Sequence, residues 1–277
     1  MGGATADRTA TTSAANRPGA GLLGRSPRMV EWFCWYGRRY VAKRFHAVRL
    51  SRGGFRPAPG SPPGPVVVVL NHPSWWDPML GLVLFDFWPD RFHVAPIDSA
   101  ALVKYKFFER LGFFGIEPGT SRGAREFLRR SLQALEDPAC MLWLTGQGRF
   151  ADVRERPVRL KEGIGHLACR LGVGTILPLA VEFTFWDEST PEAFARFGTP
   201  IALGAEGRLS PAAWTERVGR AVEEAQDALA LDVIARDPAR FETLMVGGSG
   251  VGGAYDLWRR LKAAVRGEKF DSGHGDV

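Results

Sequence analysis

A chain of 277 residues with 45% apolar side chains can bury a large core, which excludes global disorder. Its net charge of +6 is concentrated: residues 28–52 hold seven Arg or Lys and one acid, Glu31, a surplus equal to that of the whole chain. Such a segment suits an anionic partner, while the three cysteines, Cys34, Cys140 and Cys169, lack zinc spacing and suit a reducing cytosol.

In chain order, residues 1–27 read as a disordered tail with neither an apolar signal region nor a myristoylation pattern. Residues 28–50 read as a basic amphipathic helix. Met29, Phe33, Tyr36, Tyr40, Val41, Phe45 and Val48 recur at near-helical spacing, and Trp32 and Trp35 add aromatic bulk. That stripe suits a membrane interface or packing on the chain's own domain. Residues 51–65 are a Gly/Pro-rich loop. Strands follow near 66–71, 92–96, 113–117, 139–145, 175–185 and 197–203, and helices near 78–87, 99–111, 121–136, 162–172 and 210–231. This alternation over residues 66–245 predicts an α/β domain: a mixed, mostly parallel sheet covered by helices. Residues 246–277 read as a glycine-rich joint, "VGGSGVGG", and a last helix near 254–266. The joint's G-x-G-x-x-G match lacks a preceding strand and reads as a flexible joint rather than a nucleotide site. Asp86 interrupts the best candidate for a membrane span, so any membrane contact is made from one side. These features fit a cytoplasmic protein, peripheral at the inner face of a membrane.

Two H-x-x-x-x-D matches stand out. The first, His72 and Asp77, follows "VVVVL", a run apolar enough to be a buried strand. His72 then sits just past a strand's C-terminal end, where open α/β sheets place their sites. Asp77 on Nδ1–H would set the tautomer and leave Nε2 as a base. The same residues also fit a polar strand end and a plain helix cap, because Asp77-Pro78 is a helix start. The second match, His93 and Asp98, lies in an extended segment. Residues five apart there point to opposite faces, so His93 reads as structural and Asp98 as the cap of the next helix.

The order of segments resembles the glycerolipid and lysophospholipid acyltransferase family (PlsC-like). "NHPSWWD" is similar to its N-H-x-x-x-x-D block, and "FFERLGFFGIEPGTSRG" stands where its second block lies. "LWLTGQGRF" is similar to the third block, usually F-P-E-G-T-R, with Gly146 in place of Pro and Gln147 in place of Glu. "RLKEGIGHLACRLGVGTILPLAVEF" carries the Lys-x-Gly of the fourth block at Lys161 and Gly163. The resemblance covers roughly residues 66–204. It implies a glycerolipid acyltransferase-like fold and transfer of a fatty acyl group from an acyl thioester to a hydroxyl or amine of a lipid-like acceptor. His72 and Asp77 would be catalytic, and Gly146, Gln147, Gly148, Arg149 and Lys161 would bind substrate. A backbone N–H of the 146–148 turn is a candidate oxyanion donor. No metal and no resident cofactor are implied, since acyl-CoA or acyl carrier protein brings the thioester as co-substrate. The partners implied are donor, acceptor and membrane surface. The chain carries no recognised nucleic-acid motif. In the second block Gly115-Ile116-Glu117-Pro118 stands where an arginine commonly binds the acceptor's phosphate; Glu117 would repel a phosphate, Arg122 or Arg125 of the next helix is the candidate substitute, and a phosphate-bearing acceptor does not follow. The alternatives are a thioester hydrolase using the same pair and a non-catalytic membrane-binding homologue.

Overall fold

The computed structural model describes residues 24–58, 60–204 and 209–248. Most of the N-terminal tail and the helix expected near 254–266 lie outside these residues. Helix α1 (Pro27–Ala42) is followed by β1 (Ala47–Ser51), β2 (Val66–Leu70), α2 (Asp77–Leu84), β3 (Phe92–Asp98), α3 (Ser99–Lys104) and β4 (Phe113–Ile116). Then come α4 (Ser121–Leu135), β5 (Cys140–Thr145), α5 (Gly163–Leu171), β6 (Gly174–Thr184), β7 (Glu192–Phe197), β8 (Ile201–Leu203), α6 (Pro211–Ile234) and β9 (Phe241–Val246). The strands form one nine-stranded sheet in the order β4-β3-β5-β2-β6-β7-β1-β9, with β8 paired to β6. The pairs of β2 with β5 and β6, of β3 with β4 and β5, and of β1 with β7 are parallel; β6–β7, β6–β8 and β1–β9 are antiparallel. The expected α/β architecture is therefore present.

β2 lies at the centre of this arrangement because all five of its side chains are buried. Successive side chains of a strand point to opposite faces. Val66, Val68 and Leu70 accordingly join the core beneath α1 and α2, with Leu80, Leu84 and Trp143. Val67 and Val69 join the core beneath α4, α5 and α6, with Leu167, Val218 and Val222. Both faces are covered, as parallel sheets require. Each fully buried Val or Leu contributes roughly 1.5–3 kcal/mol, so β2 is a rigid base for the residue that follows it.

The chain departs from expectation near both ends of the domain. The helix expected over 28–50 ends at Ala42, and residues 47–51 are a strand between β7 and β9. The reason is burial: Phe45, Ala47, Val48 and Leu50 are enclosed, which needs two covered faces rather than one helical stripe. The strand expected over 197–203 is two strands, β7 ending at Phe197 and β8 beginning at Ile201. Between them the Gly198 N–H turns to the Pro178 carbonyl at 2.8 Å. β9 had no counterpart among the expected strands.

His93 and Asp98 share β3 and part company. Asp98 caps α3 by accepting from the Ala100 N–H at 2.8 Å. His93 is buried, stacked on Phe85 at 3.7 Å, and its Nδ1 accepts from Trp143 Nε1–H at 3.0 Å. Burial, helped by the charges of Arg25 and Arg91, depresses its pKa from 6.5 to about 3, against a small opposing effect of the Trp88 backbone. The folded state thus refuses a proton that the unfolded chain takes up below about pH 6.5. Stability linked to His93 is fully present above that pH and falls as pH drops toward 3. In His93→Asn, which keeps an acceptor for Trp143, the fall in denaturant-derived stability between pH 6 and 4 should be shallower than in wild type by up to ~1.4 kcal/mol per pH unit. Equal slopes would show that His93 does not titrate on unfolding.

Candidate active site

The chain leaves β2 under tight backbone control. The Asn71 side chain acts as a spare peptide group: its Nδ2 donates to the Val181 carbonyl at 2.9 Å and its Oδ1 accepts from the Val181 N–H at 2.8 Å. This extends the pairing with β6 by one residue past Leu70. Beside it, the Gly146 N–H donates to the Leu70 carbonyl at 3.0 Å. A proline at 146 would lose that bond, and a Cβ there would meet Leu160 Cδ2 at 2.8 Å and Val69 Cγ1 at 2.9 Å. The departure from the usual Pro is therefore accommodated by the packing.

His72 is held on both sides of its peptide. Its N–H donates to Gln147 Oε1 at 3.0 Å, and its carbonyl accepts from the Ala151 N–H at 2.9 Å. Its Nδ1 lies 2.5 Å from Asp77 Oδ2. Asp77 is 2% exposed. The expected plain cap is not what forms: Asp77 is the first residue of α2, and its carboxylate gives the helix no cap bond. It accepts instead from His72 and, at 3.4 Å, from the Ser74 N–H. Burial pushes the Asp77 carboxyl pKa up, while the bond to His72, its charge and the Ser74 N–H work against that rise. The arrangement commits Nδ1–H to the carboxylate and leaves Nε2 as the acceptor nitrogen. The half-exposed Phe150 ring lies 4.3 Å from the imidazole.

His72 and Asp77 border a cavity of about 1020 Å³, at the large end of ligand sites. Much of its wall is apolar, including Phe33, Leu82, Phe85, Val94, Phe113 and Trp143. The site residues read from the sequence divide here. Gly146, Gly148, Arg149 and Lys161 line the cavity. Arg149 is already paired with Glu155. The Lys161 stem lies over Gly148, whose φ of +63° favours glycine and where a Cβ would meet Lys161 Cγ and Cε at 3.1 Å. Gln147 is buried behind the site rather than lining it, with its amide oxygen on the His72 N–H. The Gly146 and Gly148 amides, expected oxyanion donors, are committed to the Leu70 and Thr145 carbonyls at 3.0 Å each. Three features escaped the sequence reading: the Asn71 clamp, the Phe150 platform, and the wall that α1 supplies through Val30, Phe33 and Cys34. A polar Asn directly after an all-apolar strand was a signal for the first. The other two depend on long-range packing.

A family model described as Acyltransferase matches residues 54–182. That stretch runs from the loop before β2 into β6 and contains His72, Asp77, Gly146, Gln147, Gly148, Arg149 and Lys161, but not the α1 side chains of the wall. Over residues 54–182 the chain is similar to the acyltransferase family, which supports a general acyltransferase activity. No sequence match is found among the curated proteins.

Two outcomes are expected. Asp77→Asn removes a charge whose burial is unfavourable, so the denaturation midpoint should shift by less than ~1 kcal/mol equivalent. Acyl transfer should nevertheless fall by roughly a hundredfold or more, because an amide stabilises an imidazolium poorly. Wild-type turnover in this variant would make the His72–Asp77 contact structural. Gln147→Met keeps the volume but leaves the half-buried His72 N–H without its acceptor. It should lose about 1–3 kcal/mol by denaturant titration, and turnover with it. A variant as stable and active as wild type would show that the bond positions nothing.

Proposed function

We propose that the protein moves a fatty acyl group from an acyl thioester directly to a hydroxyl or amine of a lipid-like acceptor. One observation carries this reading: His72 has its Nδ1 tied to buried Asp77 at 2.5 Å while its ring borders a large, mostly apolar cavity. The acyl chain lies along the apolar wall. Nε2 removes the acceptor's proton as the acceptor attacks the thioester carbonyl, a role worth ~10²–10⁴-fold in rate. Asp77 stabilises the imidazolium so formed. As the tetrahedral intermediate collapses, the C–S bond breaks and His72 returns the proton to the thiolate. Products are the acylated acceptor and a free thiol. The chemistry calls for no resident cofactor; the thioester of acyl-CoA or an acyl carrier protein is a co-substrate. Cys34 also lines the cavity, but burial pushes its thiol pKa up, which disfavours the nucleophilic thiolate.

The reading extends to the membrane. Among the described residues no helix is long and apolar enough to cross one. α1 buries Gly37 and Val41 but leaves Trp32 56% and Trp35 58% exposed, and Trp75, beside the site, is 62% exposed. Arg39 lies 5.2 Å from the Trp35 ring and Arg44 5.5 Å from the Tyr40 ring. Aromatic rings flanked by cations suit the headgroup boundary, here the inner face reached from the cytoplasm.

Acyl transfer is tested by following thiol release and acylated product together. His72→Ala should remain folded and lose ~10²–10⁴-fold in rate. Free fatty acid as the sole acyl product would mean hydrolysis instead, and undiminished transfer by the variant would remove His72 from the chemistry. Membrane contact is tested by flotation with anionic vesicles. Wild type should float at low salt and less at high salt, and Trp32→Ser/Trp35→Ser with Arg39→Glu should stay at the bottom. Arg38 is left intact because it pairs with Asp86 on the neighbouring segment. A folded triple variant that floats like wild type would place the contact elsewhere.

A further inference from the structure

We propose that the acceptor presents an uncharged, polyhydroxylated head to His72 rather than a phosphate; this rests on the acyl-transfer reading above. The charges around the cavity carry the inference. Apart from the His72–Asp77 pair, the described residues lining it include three carboxylates, Asp98, Glu117 and Glu162, against two cations, Arg149 and Lys161. Arg149 is already paired with Glu155, which is outside the lining. Asp98 is the cap of α3, accepting from the Ala100 N–H. Among the described residues Lys161 is then the one lining cation not paired with a carboxylate, too little to hold a dianion beside three carboxylates.

The start of α4 shows where one of these carboxylates acts. A helix N-terminus attracts anions through its unpaired N–H groups. Here the Gly123 N–H is taken by Thr120 Oγ1 at 2.9 Å, and the Thr120 hydroxyl donates to the Glu117 carbonyl at 3.1 Å. The turn is closed: a Cβ on Gly123 would meet the Glu117 carbonyl oxygen at 1.9 Å. The protein's own Glu117 carboxylate stands at this end, with Arg122 3.8 Å away on a side chain that is 81% exposed. So long and exposed a pair neutralises little. A phosphate approaching here meets a like charge, whereas hydroxyl groups find acceptors in Glu117 and Thr120. The Phe150 ring beside His72 offers an apolar face to the carbon skeleton of such a head. In the transfer itself, a hydroxyl of that head gives its proton to Nε2, its oxygen forms the new ester bond, and the thiol leaves with the proton.

The test uses the full chain, with palmitoyl-CoA and palmitoyl–acyl carrier protein supplied in parallel as donors. Monoacylglycerol and lysophosphatidate, which differ only by the phosphate, are compared as acceptors, with dodecyl glucoside as a third. Wild type should acylate monoacylglycerol and the glucoside at least about tenfold faster than lysophosphatidate. Glu117→Lys should shift the ratio toward lysophosphatidate by about tenfold, and the isosteric Glu117→Gln in the same direction by less. Faster acylation of lysophosphatidate by wild type overturns the proposal, as does a ratio unmoved in both folded variants. Absence of any acylated product with either donor, or free fatty acid alone, would count against the acyl-transfer reading beneath it.

Discussion

The site depends on how a strand buried on both faces is brought to an end. β2 cannot leave polar backbone groups unpaired inside the protein, and the residues after Leu70 meet that constraint one by one. Asn71 pairs with the Val181 peptide, Gly146 closes on the Leu70 carbonyl, and Gln147 takes the His72 N–H. Four bonds that satisfy these groups also fix the position of one imidazole. The same economy applies to Asp77: a carboxylate buried at the start of a helix is costly, and its partner is the ring it orients. Stability and site geometry are thus set by the same contacts.

The two cores meet at this point and serve different ends. The core under α4, α5 and α6 supports the turn that carries Gly146–Gly148, through Val69 and Ile164. The core under α1 and α2 adjoins the apolar side of the cavity. α1 approaches α2 so closely that a Cβ on Gly37 would meet Leu82 Cδ1 at 2.4 Å. α1 therefore belongs to the cavity wall with one face and shows Trp32 and Trp35 on another. In the proposed account this lets one helix contribute to both acyl binding and the membrane surface.

Much of this was legible before the structure. The apolar run of β2, the alternation of strands and helices, and the separation of His72–Asp77 from His93–Asp98 all follow from local periodicity and turn chemistry. What was not legible depends on contacts across the chain. Val48 continues a helical stripe on paper, yet it sits in a strand and pairs with Met245, nearly two hundred positions away. Gln147 read as a substrate ligand along with its neighbours; only the fold shows its amide turned to the His72 backbone. The Gly146 and Gly148 amides looked free because no local pattern reveals their carbonyl partners. Phe150 gave no periodic signal, and its place against His72 comes from the turn that returns Ala151 to the His72 carbonyl.

The central claim is that His72 acts as a base for direct transfer and that no side chain carries the acyl group. Intact-protein mass spectrometry tests it most directly. The full chain is held with a palmitoyl thioester in the absence of acceptor, sampled, and then given acceptor. The account predicts an unmodified protein mass in the first sample and thiol release with acylated acceptor only after the addition. An acyl adduct on Cys34 or any other side chain, formed before the addition and passed to the acceptor after it, would contradict the account.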